Sequence, residues 1–281
     1  MLAESGAAER LVRFFRAIFG WMPGGIAVMV AAVCAMFTTF TGGSGVTIIA
    51  LGGLVYPILR KQGYPEGFSL GLVTASGSLG LLFPPSLPVI LYSVVASNEF
   101  QSVPADDLFI AGIVPGLLLV VLTAGYGVLI GRKTENEDIK FSWREAVAAT
   151  WGAKWELFLP VLIIGLFLSG IPLMIEIAAA ALAYTVIVEC FITRDIHILK
   201  GLPEVFLKSA ALMGAVLTLL SIAMGLTTYL VDAYVPDMIL EWVKLHIESQ
   251  VVFLLALNAI LLVLGSVLEI YSAIIVLAPI I

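Results

Sequence analysis

Residues 41–47 read T-G-G-S-G-V-T, a short run of glycine and hydroxyl residues between two apolar stretches, 24–40 and 46–59, and no charge occurs from Met22 to Leu59. Glycines let the backbone leave the helix and bend sharply. Thr41, Ser44 and Thr47 then add hydroxyl oxygens to the carbonyls so exposed, and such a break can coordinate a desolvated cation. The same residues also suit a tight turn between two membrane helices, or small residues for close helix packing. Context outside the run decides between these readings.

That context is a membrane. A chain of 281 residues that is 61% hydrophobic and only 12% charged, with a mean hydropathy of +1.11, carries more apolar surface than a soluble core of its size could bury. The expected fold is all-α and polytopic. The net charge of −6 sits in loops, and basic residues form no patch interleaved with aromatics, which excludes nucleic acid as a partner. Cys34 and Cys190 lie in or beside apolar runs and read as packing residues, not as a disulfide framework.

Apolar periodicity and charge divide the chain into segments. In 1–21, Leu11, Phe14, Phe15, Ile18 and Phe19 recur at helical spacing with Arg10, Arg13 and Arg16 on another side, the pattern of an interfacial amphipathic arm on the lipid bilayer. The next two apolar runs, about 17 and 14 residues, reach roughly 25 and 21 Å against a hydrocarbon core of about 30 Å. Arg10–Arg16 precede the pair and Arg60–Lys61 follow it, so the positive-inside rule places both ends in the cytoplasm, as for a re-entrant hairpin with its tip at 41–47. Residues 68–96 then form a span interrupted at Ser76-Gly77-Ser78-Leu79-Gly80 and again at Pro84-Pro85-Ser86. Segment 22–100 is thus a first transport unit of hairpin plus broken helix.

Within 101–156 a returning span, 108–130, leads to a charged cytoplasmic linker. Segment 157–230 holds scaffold spans, 231–250 a second amphipathic arm around 238–245 with Trp242 as its anchor, and 251–281 a second re-entrant hairpin broken at Gly265-Ser266-Val267-Leu268-Glu269. An offset of 222 pairs Gly43 with Gly265, Ser44 with Ser266, Thr47 with Glu269, Ile48 with Ile270 and Pro57 with Pro279. The charge sides of the two hairpins oppose, and inverted repeats with broken helices near the midplane are the layout of secondary transporters.

The runs T-G-G-S-G-V-T-I-I-A-L-G-G-L from Thr41 and G-L-V-T-A-S-G-S-L-G-L-L-F-P-P-S-L-P from Gly71 resemble the large permease subunit of tripartite ATP-independent periplasmic (TRAP) transporters, over essentially the whole chain. The resemblance implies an elevator-type, Na+-coupled importer of a small organic acid such as a C4-dicarboxylate. It also implies a periplasmic substrate-binding protein and a small membrane permease subunit as partners, and a bacterial inner-membrane location. By the same resemblance Thr41, Gly42, Gly43, Ser44, Thr47, Ser76, Gly77, Ser78 and Gly80 form a first Na+ site, and Gly265, Glu269 and Ser272 a second. Ser44, Ser78, Pro84, Pro85 and Ser86 face substrate. Two departures stand out: Leu173-Met174-Ile175-Glu176 replaces a common Thr-Pro-Thr-Glu run, and Glu269 stands where Asp is usual. Family permeases also carry spans before residue 1 and a broken helix after the second hairpin, so the chain is expected to be a fragment.

None of the 14 Lys and Arg residues falls in an apolar run, so half-helix N-termini and bound Na+ must meet an anionic substrate. Na+ is a hard cation and favours oxygen ligands. Two other readings remain at this point. A binding-protein-independent carboxylate permease would share the hairpin architecture. A rhomboid-like intramembrane serine protease would use Gly42-Gly43-Ser44-Gly45, but its partner histidine could only be His197 or His246, both in polar segments.

Overall fold

The computed structural model describes residues 1–97, 102–132, 141–169, 174–234, 238, 241, 245, 247, 249–268 and 270–278. Among these there is no β-strand. The helices are α1 (Ala7–Phe19), α2 (Gly25–Thr41), α3 (Ser44–Lys61), α4 (Glu66–Ser76), α5 (Leu87–Ala96), α6 (Ala105–Gly131), α7 (Trp143–Gly152), α8 (Lys154–Ser169), α9 (Met174–Ile187), α10 (Gly201–Asp232), α11 (Gln250–Val267) and α12 (Ile270–Leu277). Among the described residues three stretches, Ala105–Gly131, Ile175–Ile192 and Gly201–Thr218, are long and apolar enough to cross a membrane, and bent helix pairs raise the number to as many as five. Contacts divide the chain into two units, Met1–Leu87 with Asp106–Phe206, and Pro88–Ala105 with Leu207–Ile281.

The first unit is built on the hairpin of α2 and α3. On α2 the residues Ile26, Ala27, Met29, Val30, Val33 and Phe37 are buried around nearly the whole circumference. A helix that is apolar on every side must be enclosed by others. It is: α1 supplies Leu11 and Val12, α4 supplies Leu72 and Val73, and α3 supplies Leu51, Val55 and Leu59. The buried residues of α3, Thr47, Leu51, Val55 and Leu59, recur every fourth position, so one stripe faces α2. On α6 the glycines Gly112, Gly116 and Gly127 lie inward while Ile110, Val114, Leu118 and Val121 are exposed. Small residues inside and large apolar ones outside are what a lipid-facing span requires.

Three sequence expectations need correction here. The stretch after residue 140, read as linker, contains α7, whose N-cap Ser142 Oγ accepts from the Glu145 amide at 3.4 Å and whose axis turns by 65° into α8. Ala146 and Ala149 face inward, and two alanines are too weak an apolar stripe to show in a sequence. The crossing placed at 210–230 belongs to a helix beginning at Gly201, with Pro203 in the first turn, where its missing amide proton costs nothing.

The third correction concerns Arg10. It does not join Arg13 and Arg16 on the exposed side of α1. Its Nε donates to Glu156 Oε1 at 2.5 Å, one terminal nitrogen donates to Asp195 Oδ2 at 2.7 Å, and the other stands 3.8 Å from Glu189 Oε2. The Glu156 and Glu189 side chains are 2% and 0% exposed. Burial pulls the Arg10 pKa down, but the Asp195 hydrogen bond and the Glu156 charge more than offset this and hold it above the ordinary arginine value. The cluster ties α1 to the start of α8 and to the π-helical segment Val188–Ile192, in a pairing that no local pattern announces.

The second unit contains α5, the remainder of α10, α11 and α12. The turn after α5 is closed by Ser93 Oγ donating to the Val103 carbonyl at 2.6 Å and by the Val103 amide donating to Ser97 Oγ at 3.0 Å. Between α11 and α12 the chain is extended at Leu268. The amphipathic arm at 238–245, with Trp242, lies largely outside the described residues.

Candidate cation site at the hairpin tip

The tip is tighter than the sequence suggests. Only Gly42 and Gly43 leave the helix; Thr41 ends α2, while Ser44 and Thr47 sit in the first turn of α3. Gly42 adopts φ 65°, the left-handed conformation that glycine tolerates, and its amide donates back to the Thr38 carbonyl at 2.8 Å. Gly43 is extended and starts α3. This reversal brings the last turn of α2 against the first turn of α3.

Hydroxyls collect there. Thr41 Oγ1 and Thr47 Oγ1 are 2.8 Å apart, and Thr47 Oγ1 is 3.3 Å from the Gly43 carbonyl oxygen. Thr38 Oγ1, from the preceding turn of α2, donates to the Cys34 carbonyl at 2.6 Å and lies 3.0 Å from both Thr47 Oγ1 and the Gly77 carbonyl oxygen. Thr38 and Thr47 are fully buried. One hydroxyl carries one proton, so Thr38 cannot donate to all three oxygens around it. Hydroxyl and carbonyl oxygens gathered in this way are the kind of ligand a hard cation takes. The atoms gathered here are threonine hydroxyls and backbone carbonyls, so the candidate site is neutral and built of oxygen alone.

The tip faces the first helix break, as the sequence predicts. After α4 ends at Ser76 the backbone passes through Gly77 and Ser78 into a 3-10 turn, Leu79–Leu82. The Gly77 carbonyl reaches Thr38, and the Gly80 carbonyl lies 3.3 Å from Thr39 Oγ1. Gly80 sits so close to α2 that a Cβ there would stand 2.0 Å from the Ala35 carbonyl oxygen. Ser76 is fully buried and its hydroxyl has no hydrogen-bond partner in the structure. This buried hydroxyl precedes by one residue the Gly77 carbonyl that reaches Thr38, and is a further oxygen that a bound cation could take.

The remaining expected residues divide. Ser44 is half-buried beside the cluster, and its carbonyl oxygen would stand 3.2 Å from a Cβ at Gly77. Ser78 is exposed and donates to the Ala75 carbonyl at 2.9 Å. Pro84 and Pro85, joined by a cis peptide bond, and the buried Ser86, whose hydroxyl is unpartnered, follow the 3-10 turn. Sequence reasoning missed Thr38 and Thr39, hidden as hydroxyls inside an apolar run. The signal available was helical spacing, since Thr38 and Thr41 stand one turn apart.

At the second tip the expected register moves. Gly265 and Ser266 are helical, within α11, and Ser266 Oγ donates to the Val263 carbonyl at 2.7 Å. The extended residue is Leu268, one turn beyond the position that pairing with Gly43 requires. A lone glycine weakens a helix by only about 1 kcal/mol, too little to end one. Ser272 is half-buried in α12; Glu269 lies outside the described residues.

Comparison with known proteins identifies the family. Residues 1–281 match the family described as the tripartite ATP-independent periplasmic transporter, DctM component. The chain is 33% identical over 280 residues to the C4-dicarboxylate TRAP transporter large permease protein DctM of Pseudomonas aeruginosa, covering 99% of this chain and 64% of that protein. It is 31% identical to the ectoine TRAP transporter large permease protein TeaC of Halomonas elongata, covering 100% of this chain and 64% of that one. To the isethionate TRAP transporter permease protein DctMQ of Oleidesulfovibrio alaskensis it is 30% identical, covering 99% and 43%. The chain therefore spans less than two thirds of the length of these relatives. They are transporters and not enzymes, which overturns the protease reading of Gly42–Gly45. Matched along its full length, the chain belongs to the TRAP transporter family as a DctM component.

Proposed function

We propose that the chain is the membrane component of a Na+-coupled importer of a small organic acid. The observation that carries this reading is the buried oxygen cluster of Thr38, Thr41 and Thr47 against the Gly77 carbonyl. Na+ bound there supplies positive charge next to a helix break in a region without a buried Lys or Arg, so an anion can approach without a side-chain cation. Movement of one hairpin unit between the two sides, in elevator fashion, then carries ion and solute together.

Family membership does not select the solute, because relatives are named for C4-dicarboxylate, isethionate and ectoine. A C4-dicarboxylate or similar carboxylate is our reading, delivered by a periplasmic binding protein at the bacterial inner membrane. The compound name of the DctMQ relative supports a small membrane subunit as partner.

The test uses the complete transporter in liposomes with its small subunit and loaded binding protein, under an inward Na+ gradient. Thr47→Val keeps shape and removes one oxygen ligand, and should raise the Na+ concentration for half-maximal uptake by about tenfold, the equivalent of about 1.4 kcal/mol. Uptake that persists without Na+, or an unchanged Na+ dependence in the variant, overturns the proposal.

A further inference from the structure

On the arm, away from the tip, a groove of about 490 Å³ opens between α1, α3 and the start of α7. Its charged residues are Glu9, Arg13 and Arg16 from α1 and Glu145 from α7. Two cations and two anions therefore face one space. Among the described residues, none of the four side chains forms an ion pair, although Glu9 and Arg13 stand at the spacing that ordinarily pairs them. Leu54 and Ile58 of α3 give the groove an apolar wall.

Aromatic rings mark the depth of this groove. Trp21 lines it, packs edge-on against Phe141 at 5.8 Å, and Phe141 in turn meets Trp143 at 6.2 Å. Clustered Trp at the end of an amphipathic helix sits at the headgroup level of a bilayer. A ligand suited to the groove must present an anion to Arg13 and Arg16, a hydrogen-bonding cation to Glu9 and Glu145, and hydrocarbon to Leu54 and Ile58. We propose that the groove binds the headgroup of a zwitterionic, primary-amine phospholipid, its phosphate between the two arginines and its ammonium between the two glutamates. Phosphatidylglycerol lacks the cation, and phosphatidylcholine has no N–H to donate. The site anchors the arm to the membrane and is separate from the Na+ reading.

Native mass spectrometry of the delipidated full-length permease, titrated with phosphatidylethanolamine, phosphatidylcholine and phosphatidylglycerol of identical acyl chains, tests this directly. Phosphatidylethanolamine should bind about tenfold more tightly than either competitor, the loss expected for one charge-assisted hydrogen bond. The double variant Arg13→Gln, Arg16→Gln should weaken all three lipids, because it removes the contacts to the phosphate they share. Glu9→Gln with Glu145→Gln should abolish the preference for phosphatidylethanolamine over phosphatidylglycerol, since it removes both the acceptors for the ammonium and the carboxylates that repel an anionic lipid, and this pair keeps the question answerable if the arginine variant does not fold. Equal binding of all three lipids, retention of the preference in the glutamate variant, or displacement of lipid by millimolar inorganic phosphate would overturn the proposal.

Discussion

Substituting alanine at Gly80 tests whether the helix break is held against the hairpin by close backbone approach. The added Cβ would stand 2.0 Å from the Ala35 carbonyl oxygen, 2.6 Å from the Thr39 nitrogen and 2.8 Å from Thr38 Cβ. The nearest two atoms are backbone and cannot rotate away. Ordinary contact begins near 3.4 Å, so α2 and the 3-10 turn must separate by about 1.4 Å. That separation breaks the approach of Thr39 Oγ1 to the Gly80 carbonyl at 3.3 Å and stretches that of Thr38 Oγ1 to the Gly77 carbonyl at 3.0 Å. Overpacking costs about 1–3 kcal/mol, and each lost hydrogen bond about 1 kcal/mol, giving roughly 3–5 kcal/mol together. On the scale of domains of this size, the melting temperature should fall by roughly 10 °C. The assay is thermal unfolding of the purified permease in detergent, followed by circular dichroism. Gly45→Ala is the reference, because a Cβ there meets nothing within 4 Å. A Gly80→Ala variant that melts with Gly45→Ala would refute the close approach and the site geometry built on it.

Arg10→Ala should destabilise the permease by about 3–5 kcal/mol in the same melt, since it leaves the buried Glu156 and Glu189 carboxylates without their cation. Arg10→Lys should recover only part of this, because one ammonium cannot replace a fork that reaches three acids; full recovery would show that charge alone matters. Removing the Ser76 hydroxyl by Ser76→Ala discriminates between two roles. As a cation ligand its loss should weaken the stabilisation that added Na+ gives the wild type, whereas a merely unsatisfied hydroxyl should leave that stabilisation intact. Ser44→Ala, at a residue beside the oxygen cluster and not within it, should shift the Na+ dependence of uptake less than Thr47→Val does; an equal or larger shift would place Ser44 among the ligands.

Composition and period by themselves determined an all-helical membrane chain. They also determined the hairpin ends, the broken helix near Ser76–Gly80 and the meeting of tip with break, because apolar runs too short to span and charges confined to their ends admit few arrangements. Glycine and hydroxyl content marked the tip. Tertiary structure decided which oxygens converge. Thr38 and Thr39 reach the site only because the left-handed turn at Gly42 folds the last turns of α2 onto α3 and the break. It also decided where the second break falls. Gly265 alone cannot end a helix, so the chain stays helical to Val267 and turns extended only at Leu268. The Arg10 cluster was illegible in the sequence. Its four members lie as far apart as 185 positions in the chain, and each, taken locally, reads as a solvated charge; only the docking of α1 onto α8 and the Val188–Ile192 segment removes water from them and makes their pairing obligatory.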